Sequence, residues 1–184
     1  MKKGKLIIIS GPSGVGKGTI VKKILSMDSA LALSISSTTR PKREGEVNGR
    51  EYFFLTKEEF IKNIHKNNFA EYAEYAGNYY GTSYSTIDEI RNKGLHLILE
   101  IEVNGAQQIK NKYPEAKTIF IMPPNLAELK KRLIERNTND EQDINIRLAQ
   151  VDREIAKSKE FDVRVVNDDL EIATLAVIEA IYSD

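Results

Sequence analysis

Short, continuous apolar runs alternate with amphipathic stretches along most of this chain. The runs fall at Lys5–Ser10, Leu31–Ser36, Leu95–Glu102, Thr118–Met122 and Val163–Val166. Within them apolar residues follow one another instead of alternating with polar ones, as in strands covered on both faces. Stretches with helical spacing lie at Lys17–Ser26, Gly105–Lys112, Asn125–Arg136, Asp143–Lys159 and Asp169–Tyr182. In the first of these, Ile20, Val21, Ile24 and Leu25 form one apolar face. Alternation of this kind predicts an α/β fold, a doubly wound parallel sheet of about five strands. Pro123-Pro124 ends the fourth strand, and Asn125 with Glu128 predicts the N-cap of the helix that follows.

Between the second and third runs the texture changes. Asn48-Gly49 and Gly77-Asn78 mark turns, and Thr56-Lys57-Glu58-Glu59 is a capping box opening a helix with Phe60, Ile61 and Ile64 on one face. Phe69–Tyr75 and Tyr79–Tyr84 read as short strands. The segment is too long for a simple crossover. The predicted organisation is an α/β core from 1–36, 95–124 and 160–184, an inserted mixed α+β subdomain at 37–94, and a helical lid at 125–159 broken by Asn137-Thr138-Asn139-Asp140.

A length of 184 residues with 41% hydrophobic content supports one substantial core with small insertions. Basic and acidic residues balance at 27 each, so no overall field favours nucleic acid or membrane, and neither is expected as a partner. Cysteine is absent, which rules out disulfides and thiolate metal sites and suits a cytoplasmic location. The apolar stretch Leu6–Ile9 is too short for an export signal or a membrane span.

Chemistry enters at Gly11-Pro12-Ser13-Gly14-Val15-Gly16-Lys17-Gly18-Thr19, placed between the first strand and the first helix. Strand, glycine-rich turn and helix are the context of a phosphate-binding P-loop. The glycines let successive N–H groups approach phosphate oxygens, the helix N-terminus adds its dipole, and the Lys17 ammonium reaches the β- and γ-phosphates. The hydroxyl that usually follows the lysine and holds Mg²⁺ is displaced by one residue, from Gly18 to Thr19.

A P-loop is shared by GTPases, motors and kinases, but the DxxG and NKxD segments of a GTPase are missing. Arg132 and Arg136 are four apart on one predicted helix, and Arg147 follows beyond the polar break. By spacing alone this set suits either a solvated, salt-bridged helix pair or a clamp on a transferring phosphoryl group. Arg40 and Arg43, preceded by Ser36-Ser37-Thr38-Thr39, form a second basic pair suited to another phosphate.

At this point the chain resembles the guanylate kinases over essentially its full length. The P-loop, Ser36–Arg40 with Arg43, Gly45-Glu46-Val47-Asn48-Gly49, Tyr52-Phe53-Phe54, Gly77-Asn78-Tyr79-Tyr80-Gly81-Thr82 and Glu100-Ile101-Glu102-Val103-Asn104-Gly105 all carry the resemblance. It implies ATP-dependent phosphorylation of GMP, and of dGMP, in purine nucleotide metabolism, by a monomer or homodimer. Ser36, Arg40, Arg43, Tyr52 and Tyr80 would hold the GMP phosphate; Glu71 and Thr82, with Glu102, would read the guanine edge. Arg132, Arg136 and Arg147 match lid arginines, and Asn167 with Asp168 lies where the family contacts adenine. Guanine offers N1–H and N2–H₂ as adjacent donors that one carboxylate accepts together, and adenine lacks that pair.

Glu100 and Glu102 end an apolar strand two residues apart, hence on one face, where ligands of open α/β sheets bind. Glu100 is expected near Mg²⁺, through water, and Glu102 near the guanine; carboxylates capping the strand end in ion pairs is the competing structural role. The family more often has aspartate at the second position and glutamine where Asn104 stands. Two other functions keep a similar framework. One is a different nucleoside monophosphate kinase, against which Glu71, Tyr80 and Thr82 argue. The other is a guanylate-kinase-like interaction module without catalysis, against which the intact Lys17 and both arginine groups argue.

Overall fold

A computed structural model describes residues 2–75, 77–136 and 141–183. Its first strand, β1 (Leu6–Ser10), is buried at every position and runs into the glycine loop and α1 (Lys17–Met27). β2 (Leu31–Leu33) and β3 (Ser37–Thr38) follow, then β4 (Phe53–Phe54), α2 (Lys57–His65), β5 (Phe69–Tyr75) and β6 (Asn78–Ser83). The chain continues through α3 (Tyr84–Asn92), β7 (His96–Glu100), α4 (Val103–Lys112) and β8 (Lys117–Met122). It closes with α5 (Leu126–Arg136), α6 (Glu141–Lys157), β9 (Val163–Val166) and α7 (Leu170–Tyr182).

The predicted apolar runs form a five-stranded sheet in the order β2-β7-β1-β8-β9. The pairs β2–β7, β1–β8 and β8–β9 are parallel. A second, four-stranded sheet has the order β4-β3-β6-β5 and mixes parallel and antiparallel pairs. Its strands all come from the segment whose texture changes.

Two compact units divide the chain. The first comprises Met1–Leu6, Ala30–Leu99 and Asn104–Ala116; the second comprises Ile7–Ser29, Glu100–Val103 and Lys117–Asp184. In the first, α2 is opened by the predicted capping box: Thr56 accepts from the Glu59 N–H, and the Glu59 carboxylate accepts from the Thr56 N–H. Phe60 is its buried anchor, stacked on Phe69 at 4.4 Å and on Tyr79 at 5.4 Å between ring centroids. In the second, Pro123-Pro124 ends β8, and the Asn125 side chain caps α5 by accepting from the N–H groups of Ala127 and Glu128.

Three local expectations change. The run beginning at Leu31 leaves the strand after Leu33, and Ser36 instead accepts from the Phe53 N–H of the second sheet. Tyr84 starts α3 instead of ending a strand, because Ser83 caps the helix by accepting from the Thr86 N–H. β7 stops at Glu100, so Glu102 lies in the turn before α4 and not on the strand face of Glu100. The Asn137–Asp140 break lies outside the described residues. Among the described residues no helix is long and apolar enough to cross a membrane.

Candidate active site

In the second unit, β1 delivers the chain to a loop that only glycine can form at two points. Gly11 has φ 153°, and a Cβ there would stand 2.6 Å from the Ile121 carbonyl oxygen. Gly16, at φ 91°, is the left-handed N-cap of α1, and a Cβ there would stand 2.6 Å from Asn167 Nδ2. The same Nδ2 donates to the Val15 carbonyl at 2.8 Å. Asn167 itself is fixed by donating its backbone N–H to the Met122 carbonyl at 2.9 Å. The N-cap Gly16 has no side chain to cap α1, which leaves the N-terminal dipole suited to an anion. Lys17 folds back on the loop, donating to the Gly11 carbonyl at 3.1 Å.

Beside this loop is a pocket of about 530 Å³, lined by Gly14, Val15, Gly16, Thr19, Pro123, Pro124, Asn125, Glu128, Leu129, Asn167, Asp168 and Leu170. Thus two expected ATP contacts, Asn167 and Asp168, share one cavity with the P-loop. Glu100 comes close to the loop as well: its Oε1 lies 3.6 Å from where a Gly18 side chain would begin.

Glu102 has company that sequence reasoning missed. Gln150 of α6 donates to Glu102 at 3.5 Å and to Glu154, four residues further along that helix, at 3.1 Å. Burial, and then the adjoining Glu102 carboxylate, push the Glu154 carboxyl up to about 7, against the pull of Gln150 and Lys17. The available signal was the spacing from Arg147, three and seven residues earlier. Arg132 and Arg136 belong to α5 and Arg147 to α6, but their side chains lie outside the described residues.

The first unit gathers the expected acceptor residues. Cross-strand register sets Glu71 of β5 opposite Thr82 of β6, where both are buried. The Thr82 hydroxyl donates to Glu71 Oε1 at 2.7 Å and lies 3.4 Å from the Ser36 hydroxyl. Burial raises the Glu71 carboxyl to about 7; the Thr82 hydrogen bonds and the Lys112 charge oppose this only in part. Gly81, between Tyr80 and Thr82, sits where a Cβ would be 3.0 Å from both the Glu71 carbonyl oxygen and the Phe60 ring. Close approach of β5, β6 and α2 therefore sets the depth of Glu71.

Tyr52 and Tyr80 meet edge to face at 6.0 Å, and the Arg40 guanidinium lies 5.5 Å from the Tyr52 ring centroid. Arg40 is paired through two hydrogen bonds with Glu46, a partner sequence reasoning named only as part of a motif. The Arg43 side chain is exposed, while its backbone N–H also binds Glu46.

A parallel α/β sheet ending in a glycine-built, lysine-bearing loop defines a P-loop nucleotide-binding fold. The sequence model of the guanylate kinase family matches residues 3–184. A guanylate kinase of Prochlorococcus marinus (strain MIT 9312) is 49% identical over 179 residues, covering 97% of each chain. One from Streptococcus mutans is 47% identical over 184 residues, covering 100% of this chain and 88% of its own. The crystal structure of guanylate kinase from Anaplasma phagocytophilum superposes with a TM-score of 0.78 at 29% identity, over 98% of this chain and 85% of that one. This chain belongs to the guanylate kinase family.

Proposed function

We propose that the protein transfers the γ-phosphoryl group of ATP to GMP, and to dGMP, giving ADP and the nucleoside diphosphate. Glu71 carries the choice of acceptor. It is a carboxylate held at 4% exposure, facing a threonine hydroxyl, in the unit that also holds Ser36, Arg40, Tyr52 and Tyr80. Ionised, it accepts guanine N1–H and N2–H₂ together; an adenine would leave it buried and unmatched. Residues 37–94 serve as the acceptor subdomain, and Ser36, Arg40, Arg43, Tyr52 and Tyr80 hold the acceptor phosphate. Glu102 assists at the base.

The P-loop from Gly11 to Thr19 takes the donor triphosphate. Lys17 leaves the Gly11 carbonyl for the β- and γ-phosphates, and Asn167 and Asp168 border the adenine. Residues 125–159 act as the lid, with Arg132, Arg136 and Arg147 on the transferring group. The acceptor phosphate has a second pKa of about 6, by analogy with a phosphoserine, and at neutral pH already carries its nucleophilic charge. No general base is required. The work of the chain is positioning and charge neutralisation.

The residues around Gly18 fit Mg²⁺ carried in with ATP. One carboxylate, Glu100, reaches the start of α1, its Oε1 3.6 Å from where a Gly18 Cβ would stand. Bound there, Mg²⁺ would neutralise phosphate charge. Oligomeric state is proposed as monomer or homodimer, and location as the cytoplasm.

ADP release from Mg·ATP, measured with GMP, dGMP, AMP, UMP and dTMP in turn, tests the assignment. Turnover confined to GMP and dGMP is expected. Turnover with AMP or dTMP would remove the role given to Glu71, and a folded, ATP-binding protein idle with every acceptor would be a binding module.

A further inference from the structure

Given Arg40 as a ligand of the acceptor phosphate, its hydrogen-bond inventory singles out a neighbour. A guanidinium has five N–H groups, two on each terminal nitrogen and one on Nε. Nη1 donates to the Pro41 carbonyl at 2.8 Å and to Glu46 Oε2 at 3.1 Å, which uses both of its hydrogens. Nη2 donates once, to Glu46 Oε1 at 2.7 Å. Among the described residues nothing takes the Nε–H or the second Nη2–H. These two lie along the same edge of the planar group and point the same way, a ready fork for two oxygens of one phosphate.

Glu46 is itself held in place. Its Oε2 also accepts from the Arg43 backbone N–H at 2.7 Å, and the ion pair leaves only 13% of the Arg40 side chain and 17% of that of Glu46 exposed. The guanidinium lies 5.5 Å from the ring centroid of Tyr52 and 5.8 Å from that of Phe54. These contacts fix where the guanidinium sits and which way its edges face.

We propose that Glu46 is a positioning residue for the acceptor phosphate: it occupies the end-on fork of Arg40 so that the Nε/Nη2 edge is presented to GMP. On this account the carboxylate stays paired when GMP binds. It offsets some positive charge at the site but supplies geometry that a mobile arginine lacks.

Calorimetric binding of GMP and of guanosine to the full chain separates the effects, using Glu46→Gln, Arg40→Ala and the double variant. Glutamine keeps one acceptor oxygen but cannot hold both guanidinium nitrogens and the Arg43 N–H. Glu46→Gln is expected to weaken GMP about tenfold and to leave guanosine, which has no phosphate, within about twofold. In the Arg40→Ala background the same change should cost less than about twofold, because Glu46 acts through Arg40. The proposal is overturned by unchanged GMP affinity, by tighter GMP binding, which would make Glu46 a competitor for the phosphate fork, or by a Glu46 effect that persists without Arg40. Equal loss of guanosine would reduce Glu46 to loop support and overturn it too. Should Arg40→Ala weaken GMP no more than guanosine, the acceptor-phosphate assignment itself fails, whatever Glu46 does.

Discussion

A buried acid beside a hydroxyl has two jobs that pull in opposite directions. Burial raises the empty Glu71 carboxyl to about 7, whereas the guanine contact proposed for it calls for the ionised acceptor. Guanosine affinity is therefore expected to fall as pH drops through about 7, and guanosine is the right probe because it has no phosphate to titrate. Glu71→Gln should remove that pH dependence in a calorimetric titration and weaken GMP by roughly a hundredfold, leaving ATP affinity nearly unchanged. At the other substrate, Lys17→Ala should lower kcat by a factor on the order of 10³ while GMP still binds, as steady-state kinetics and titration would show. The positions of these residues were legible because charged groups in a motif stand out in a sequence. Their depth was not. Nothing in the letters says that Glu71 is 4% exposed, since that follows from pairing with a strand eleven residues away and from Gly81 packing under Phe60. The pairings of Arg40 with Glu46 and of Asn167 with Val15 were hidden for the same reason: motif spacing names residues without saying which edge of each is already taken.

Elements with strong local signals matched their expected bounds closely, and those shaped by a partner strand did not. β9 falls at Val163–Val166 as its apolar run predicts, and α1 begins at Lys17, where the glycine loop ends. β2 is shorter than its run because only Leu31–Leu33 find partners, at His96–Ile98 of β7. The two-residue strands β3 and β4 have no periodicity to read; they exist because β6 supplies a ladder for Ser37 and Thr38. For α2 the capping box was fully legible, and its worth is measurable. Thr56→Ala removes the acceptor for the Glu59 N–H and should cost about 1 kcal/mol. For a chain of this length that corresponds to roughly 2–4 °C in Tm, read by thermal denaturation.

For the whole molecule, formal charge balance hides an uneven titration. Glu71 and Glu154 are both raised to about 7, chiefly by burial, while Glu46, Glu51 and Glu89 are lowered by their hydrogen-bond partners. A raised carboxyl binds more protons folded than unfolded, so its contribution to stability is full below the ordinary carboxylate range and is lost as pH rises through about 7. The lowered groups act in the opposite sense at more acidic pH and, being partly solvated, contribute less. Chemical denaturation of the ligand-free protein should thus show stability declining between about pH 4.5 and 7 from these two groups. The variant carrying both Glu71→Gln and Glu154→Gln should be flatter across that window. A decline of the same slope in the double variant would assign it to other groups.

The amide that pins Val15 has a consequence for how the protein is made. All the glycines of the phosphate loop are made well before Asn167, which follows Val15 by 152 residues. It reaches the loop only once β9 has joined the edge of the sheet beside β8. A nascent chain therefore carries an unset loop until β9 has been made, and the loop takes its final form with that strand.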